Sequence, residues 1–209
     1  MASDFHSHAR KSDAVTLLSV PYPEPGGGWP WSLEFHPWRL PEAADGGLPG
    51  GFMERLESAA ALGEVGLDRL RGPACEVQRR WLKLLLEAAL ELKKPVVFHC
   101  VRMVPELLAE TKPYGGLKRL LHGFRGSPEL LEQLRNRGFY VSLAPAALER
   151  PELMEHLSSA GLGGIGFETD TLPEPVEQVL ERAARRLNFP YAELERITDQ
   201  TFQEFLRHE

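Results

Sequence analysis

Short apolar runs alternate with amphipathic or turn-rich stretches along the chain. Several of these runs are continuously apolar, which is typical of strands that are buried on both faces of a parallel sheet. The runs that this pattern predicts as strands are residues 3–8, 15–20, 32–36, 61–67, 95–100, 118–122, 139–143 and 164–169.

Helical periodicity fills the segments between the later strands. The clearest amphipathic stretch covers residues 76–92 and is followed by Lys93 and Lys94, at the end of a helix where the dipole favours cations. Ser127 and Pro128 suit the N-cap and first position of another helix. The pattern predicts helices at residues 52–60, 76–92, 128–136, 151–160, 175–187 and 191–208.

The early connections are instead rich in proline and glycine. Residues 21–30 cannot form a regular helix, and residues 41–51 make a second loop of this kind. Strands that alternate with helices predict an α/β protein with helices outside a parallel sheet. With eight strands, we expect a TIM-like (β/α)8 barrel with abbreviated first crossovers, formed as a single domain over residues 1–209. The short crossovers account for a length below the ~250 residues typical of such barrels.

Composition places the chain among ordinary globular proteins, with 43% hydrophobic and 26% charged residues. A net charge of −6 argues against nonspecific attraction of the whole surface to nucleic acid, although a local cationic site is compatible with it. The two cysteines, Cys75 and Cys100, indicate neither a disulfide framework nor a thiolate zinc site. Because no signal peptide or long apolar span is visible, we expect a cytoplasmic enzyme or binding protein without a membrane partner.

Candidate chemistry begins with the segment DFHSH at residues 4–8. Positions i and i+2 of a strand share a face, so His6 and His8 would point into one space as a natural pair of metal ligands. A frayed terminus that contains two histidines is the alternative. Further ionisable residues lie at or near the ends of later predicted strands, namely Glu64, His99, His122 and Asp170.

Three of these residues have an ordinary explanation when taken alone. His99 suits a hydrogen-bonded core histidine, Glu64 a partner of an arginine, and Asp170 a helix cap. In a (β/α)8 barrel, however, the carboxyl ends of the strands surround the active site. Burying so many titratable groups together without partners would be costly, so we expect them to share metal ions.

The segments DFHSH, GEVGLD, VVFHC, LHGFRGS and GFETD resemble, in this order, the signature of the TatD family of metal-dependent hydrolases. The resemblance extends over nearly the whole chain. It implies a (β/α)8 fold, two adjacent divalent metals and hydrolysis of phosphodiester bonds in DNA. It also implies a ligand set in which one metal is held by His6, His8 and Asp170, the other by His99 and His122, and both by a bridging Glu64.

Two features depart from the family pattern. The family's usual arginine follows the fifth-strand histidine closely, whereas Arg102 lies three residues after His99. The abbreviated first crossovers also reduce the walls of a nucleic-acid groove. The metal ligands are therefore better supported than the substrate.

Glu64 and Asp170 are the predicted catalytic residues. A pair of metals bridged by Glu64 would generate hydroxide from bound water near neutral pH, and Asp170 would accept the proton of the attacking water. Asp4 and His36 are predicted to support the ligands from behind.

Two residues after the sixth strand are candidates for substrate binding. Arg125 is placed to contact a substrate phosphate, with a solvated loop cation as the alternative. Phe124 would stack on a base or pack the loop.

These observations predict a divalent-metal-dependent hydrolase, foremost a TatD-like deoxyribonuclease acting on phosphodiester bonds. An ester or amide hydrolase on the same dinuclear site, such as an aminoacyl-tRNA or nucleotide deacylase, stays open, as does a metal-binding protein with little catalysis. The expected cofactors are two divalent ions, Mg, Mn or Zn. Four imidazoles favour zinc, iron, cobalt or manganese over magnesium, whereas the resemblance favours magnesium. The expected partner is DNA or another phosphodiester, without an obligate protein partner.

Overall fold

A computed structural model describes residues 1–43 and 46–207. Its strands are β1 Ser3–Ser7, β2 Val15–Pro21, β3 Trp31–Glu34, β4 Ala61–Asp68, β5 Val96–Val101, β6 Arg119–Phe124, β7 Phe139–Leu143 and β8 Ile165–Phe167. They belong to one sheet whose neighbours follow the order of the chain. Eight parallel strands with helices between them form the (β/α)8 class, and the predicted fold is confirmed.

The described helices are α1 Phe52–Ser58, α2 Cys75–Glu91, α3 Val104–Thr111, α4 Pro128–Arg135, α5 Pro151–Ala160, α6 Val176–Leu187 and α7 Tyr191–Leu206. Helix α3 was not predicted; it has the same length as α4 but begins without a side chain that caps its first turn. Ser127 caps α4 as expected, its side chain accepting a hydrogen bond from Leu130 N. No helix of the described chain is long and apolar enough to cross a membrane.

The abbreviated first crossovers are also confirmed. Residues 8–14 and 22–30, which are all described, contain no helix. Residues 44 and 45 of the predicted loop at 41–51, and the predicted end of the last helix at His208, lie outside the described residues.

The chain separates into two compact units, of which the first comprises residues 1–18 and 121–207. Strand β1 is buried along its length, and α7 covers it. The fully buried Phe5 packs edge-to-face on Phe202 of α7, with ring centroids 5.2 Å apart. Ser3 Oγ donates to Asp199 Oδ1 of the same helix at 2.8 Å. The strand that carries His6 and leads directly into His8 is thus packed against α7 within this unit.

The second unit comprises residues 19–120. Helix α2 packs against β4, which is buried at all eight positions. An aromatic cluster fills the space beside β3, where the ring of Phe35 lies 5.7 Å from Phe52 and 5.2 Å from Trp81. Trp81 is among the buried residues of the amphipathic face of α2. The prediction of a single domain over residues 1–209 stays a prediction.

Candidate functional site

His6, His8 and Asp170 form a group of potential metal ligands within the first unit. His6 is fully buried, whereas the side chain of His8 is 33% exposed. Asp170 Oδ1 lies 3.9 Å from His6 Nε2 and 3.5 Å from His8 Nε2. One ligand atom of each residue lies within 4.8 Å of those of the others. The convergence expected from the i, i+2 spacing is therefore present, and the side chains of His8 and Asp170 are partly exposed.

The backbone fixes the position of Asp170 against β1. Asp170 N donates to His6 O at 3.0 Å, and His8 N donates to Asp170 O at 3.4 Å. Asp170 adopts a positive φ of 48°, a conformation that aspartate tolerates better than most residues. These bonds join the segment after β8 to the end of β1 and to His8, which follows it.

Asp4 and Lys11 reinforce the same junction. Asp4 is buried, and its carboxylate accepts hydrogen bonds from Thr169 N at 3.0 Å and from the Thr169 hydroxyl at 2.6 Å. Burial raises the pKa of the Asp4 carboxyl to about 6, although the bonds from Thr169 oppose this rise. Lys11 Nζ donates to Asp170 O at 2.6 Å and to Thr169 Oγ1 at 2.8 Å. Asp4 thus binds Thr169, the neighbour of Asp170. Its support of an imidazole stays a prediction.

His122 and Glu168 form a second contact in this unit. The His122 ring lies 4.3 Å from the His6 ring, and its Nδ1 lies 3.5 Å from Glu168 Oε1. Glu168 is fully buried and accepts hydrogen bonds from Gly123 N at 2.8 Å and from the Ser142 hydroxyl. A carboxylate held by two donors can orient the imidazole beside it.

Glu64, His99 and His36 come together within the second unit. Glu64 is buried, and its Oε2 lies 3.3 Å from His99 Nδ1 and 3.2 Å from His36 Nε2. His36 Nδ1 accepts a hydrogen bond from Trp38 N at 3.2 Å. In a neutral imidazole this leaves the proton on Nε2, which then donates to Glu64. That geometry agrees with a supporting role of His36, which stays a prediction.

Two glycines allow β4 to approach β5 closely around Glu64. A Cβ at Gly63 would lie 2.4 Å from Val97 O, and one at Gly66 would lie 1.9 Å from His99 O. Both residues have positive φ, at 140° and 148°. The Gly-Glu-x-Gly pattern is therefore what allows Glu64 and His99 to approach each other.

Asp68 holds the other side of His99. Its Oδ2 lies 3.1 Å from His99 Nε2 and accepts a hydrogen bond from Trp38 Nε1 at 2.5 Å. Burial raises the pKa of this carboxyl, but the hydrogen bonds from Trp38 and His99 outweigh burial and leave the pKa below its usual value. Gln78 fixes the backbone, accepting from Asp68 N at 2.7 Å and donating to Asp68 O at 2.9 Å.

The candidate substrate contacts differ in exposure. Arg125 is exposed, and its carbonyl oxygen accepts a hydrogen bond from Arg150 Nη1 at 2.6 Å. Phe124 is 4% exposed, and a Cβ at Gly126 would lie 2.8 Å from its ring. The burial of Phe124 favours the packing alternative, and both substrate contacts stay predictions.

The donor chemistry fits divalent metal ions. Imidazole nitrogens and carboxylate oxygens are the ligands that zinc and manganese accept, and three of them lie within reach of one ion at residues 6, 8 and 170. Within the second unit, Glu64 and His99 offer a carboxylate and an imidazole at similar spacing.

Three charged residues of these clusters were not identified from the sequence: Lys11, Asp68 and Glu168. Asp68 and Glu168 stand inside the motifs GEVGLD and GFETD, so the only sequence signal was a second carboxylate near each predicted ligand. Lys11 carried no signal, because its partners Thr169 and Asp170 are more than 150 residues away in the chain.

Solved structures of similar fold include several hydrolases. A TatD family hydrolase from Entamoeba histolytica has a TM-score of 0.67 at 17% identity, covering 84% of this chain and 74% of its own. A TatD homologue from Escherichia coli K12 has a TM-score of 0.68 at 19% identity, with 91% and 85% covered. A phosphotriesterase homology protein from Escherichia coli, complexed with phosphate in its active site, has a TM-score of 0.62 at 12% identity, with 85% and 74% covered.

At these identities the structural likenesses show the fold alone. None of the curated proteins compared with the chain matches it. The sequence model of the family described as "TatD related DNase" matches residues 31–207, which is most of the chain. The match extends through Glu64, His99, His122 and Asp170, so four of the six predicted ligands lie inside it. The protein therefore belongs to the TatD-related family of hydrolases.

Proposed function

We propose that the protein hydrolyses phosphodiester bonds, with DNA as the substrate, using two divalent metal ions. The observation that carries the proposal is the group formed by His6, His8 and Asp170, partly open to solvent, in a chain of the TatD family. The phosphate in the active site of the structurally similar phosphotriesterase homology protein adds support.

In this proposal His6, His8 and Asp170 hold one ion, and Glu64 and His99 contribute to the second; His122 stays a predicted ligand of the second. Bound divalent ions supply a hydroxide near neutral pH and positive charge for the phosphate oxygens. The protein's own residues then orient the ligands and accept a proton. Asp170, whose side chain is 38% exposed, accepts the proton of the attacking water.

The residues around the ligands keep this geometry fixed. Glu168 and Asp68 orient the imidazoles of His122 and His99, and Lys11 and Asp4 hold the chain at residues 169–170. Such preorganisation reduces the reorganisation needed when the substrate binds.

The decisive experiment is a matrix of metals and substrates. Metal-stripped protein is supplied with Mg²⁺, Mn²⁺ or Zn²⁺ and incubated with single-stranded DNA, double-stranded DNA, RNA and a generic carboxylic ester. We expect metal-dependent cleavage of DNA. Activity on the ester alone would establish the deacylase class instead, and tight metal binding without turnover on any substrate would establish a metal-binding protein.

A further inference from the structure

An exposed aromatic side chain lies beside His99 in the second unit. Trp38 is 40% exposed, and its ring centroid lies 5.4 Å from that of His99 and 4.6 Å from that of His36. Large aromatic residues are usually buried in proteins, so an exposed indole next to candidate metal ligands suggests a binding surface.

A guanidinium group lies over the same ring. The Cζ atom of Arg71 is 4.5 Å from the centroid of Trp38, and Arg71 is exposed. A planar guanidinium stacks on aromatic groups and binds phosphate oxygens through several donors. Trp38 and Arg71 thus combine a flat apolar face with a positive charge.

Asp68 accepts hydrogen bonds from both residues of this pair. Its Oδ2 accepts the indole N–H of Trp38, and its Oδ1 accepts from Arg71 N at 3.1 Å. The turn is packed tightly, because a Cβ at Gly72 would lie 2.3 Å from Pro37 O. The carboxylate that positions His99 therefore also positions the indole and the segment that carries the guanidinium.

We propose that Trp38 and Arg71 bind one nucleotide unit of the substrate, the indole stacking on a nucleobase and the guanidinium contacting base and phosphate. This inference rests on the proposed phosphodiester hydrolysis and deepens it, because it assigns base-dependent recognition to two named residues. Stacking tolerates any base, since every base offers a π face. The protein would then prefer nucleotides over simple phosphodiesters without strong sequence preference.

Calorimetric titration tests the base contact directly. Thymidine 5′-monophosphate and 2-deoxyribose 5-phosphate carry the same phosphate and differ by the base. With the full chain and saturating Mn²⁺, we expect the nucleotide to bind about tenfold tighter than the sugar phosphate. Trp38→Ala should remove this preference, whereas Trp38→Phe should keep most of it, because phenylalanine keeps a stacking face, although the face is smaller and the N–H donor is lost. Equal binding of both ligands to the wild type, or a preference that survives Trp38→Ala, would overturn the proposal.

Arg71→Ala provides a second variant on an exposed turn, where misfolding is of little concern. We expect it to weaken nucleotide binding about fivefold, while Arg80→Ala on the exposed face of α2 leaves binding unchanged. Equal effects of both substitutions would indicate general charge attraction and contradict the assignment.

Kinetics separate this proposal from the proposed function. The 4-nitrophenyl ester of thymidine 5′-monophosphate and methyl 4-nitrophenyl phosphate share a leaving group, and Trp38→Ala should raise KM about tenfold for the first substrate only. Base-dependent binding without hydrolysis of either ester would refute phosphodiesterase activity and leave the nucleotide-binding assignment standing. Hydrolysis of both esters with equal KM by the wild type would refute the nucleotide-binding assignment alone.

Discussion

Replacement of Glu168 tests whether a buried carboxylate supports metal binding through His122. In Glu168→Ala, the Gly123 N–H and the Ser142 hydroxyl lose their acceptor and His122 loses its neighbouring carboxylate. A buried polar group without a partner costs about 1–3 kcal/mol. Ser142 is fully buried and should contribute most of this cost, whereas Gly123 is half-buried and should contribute less. We therefore expect the free energy of unfolding to fall by roughly 2–4 kcal/mol.

Glu168→Gln isolates the effect on the imidazole, because it keeps the side-chain volume and one acceptor oxygen. We expect a smaller loss of stability, about 1–2 kcal/mol, together with a metal affinity roughly 10–100-fold lower, as for other residues that orient a metal ligand. Urea denaturation measures the stability, and competition with a chromogenic chelator measures the affinity for Zn²⁺.

Ser142→Ala is the matched control. It removes one donor to the same carboxylate and leaves the contact between Glu168 and His122 in place. We expect a stability loss of about 1 kcal/mol with little change in metal affinity. Wild-type affinity in Glu168→Gln, or an equal loss of affinity in Ser142→Ala, would refute the reasoning.

Three further predictions follow from other parts of the structure. Asp170→Asn should lower kcat for DNA hydrolysis at least ~100-fold while the circular dichroism spectrum stays unchanged, because an amide cannot accept the proton from water; unaltered turnover would contradict this role. Gly66→Ala should destabilise the protein by at least about 3 kcal/mol in urea, since its Cβ would lie 1.9 Å from His99 O, and a stable variant would show that β4 can move away from β5. The pKa of Glu174 is lowered in the folded protein, chiefly by its hydrogen bond from Arg182. The ion pair therefore stabilises the fold at pH values above the pKa that Glu174 has in the unfolded chain. This contribution is lost as the pH falls through the pKa that Glu174 has in the folded protein. Glu174→Gln should therefore lower Tm at pH 7 and have little effect near pH 3, and an equal effect at both would exclude the ion pair as the cause.

Local sequence rules account for most of the elements and for the first cluster. The apolar runs located all eight strands. The i, i+2 spacing of His6 in β1 and His8 directly after it agrees with the convergence of both imidazoles on Asp170, as strand alternation predicts. Helix α3 shows the limit of this reasoning, since it lacks the capping side chain that marks the start of the equally short α4, and a short helix depends largely on its packing.

The contacts between the candidate ligands and their partners could not be predicted from local patterns. Asp68 and His99 are 31 residues apart, and Ser142 and Glu168 are 26 apart, so their contacts depend on the register of neighbouring strands and not on any local period. His36 illustrates an intermediate case: its place near the end of β3 was visible in the sequence, but only the structure shows it facing Glu64.

The sequence by itself determined the fold class, the order of the strands and the residue types offered for metal binding, because these depend on periodicity and on the chemistry of single side chains. Only the tertiary structure decided which carboxylate orients which imidazole, why Gly63 and Gly66 flank Glu64, and that Trp38 lies beside His99 under a guanidinium. These features depend on distances between segments that are remote in the chain. Such distances are determined by strand register and close packing, which no local pattern encodes.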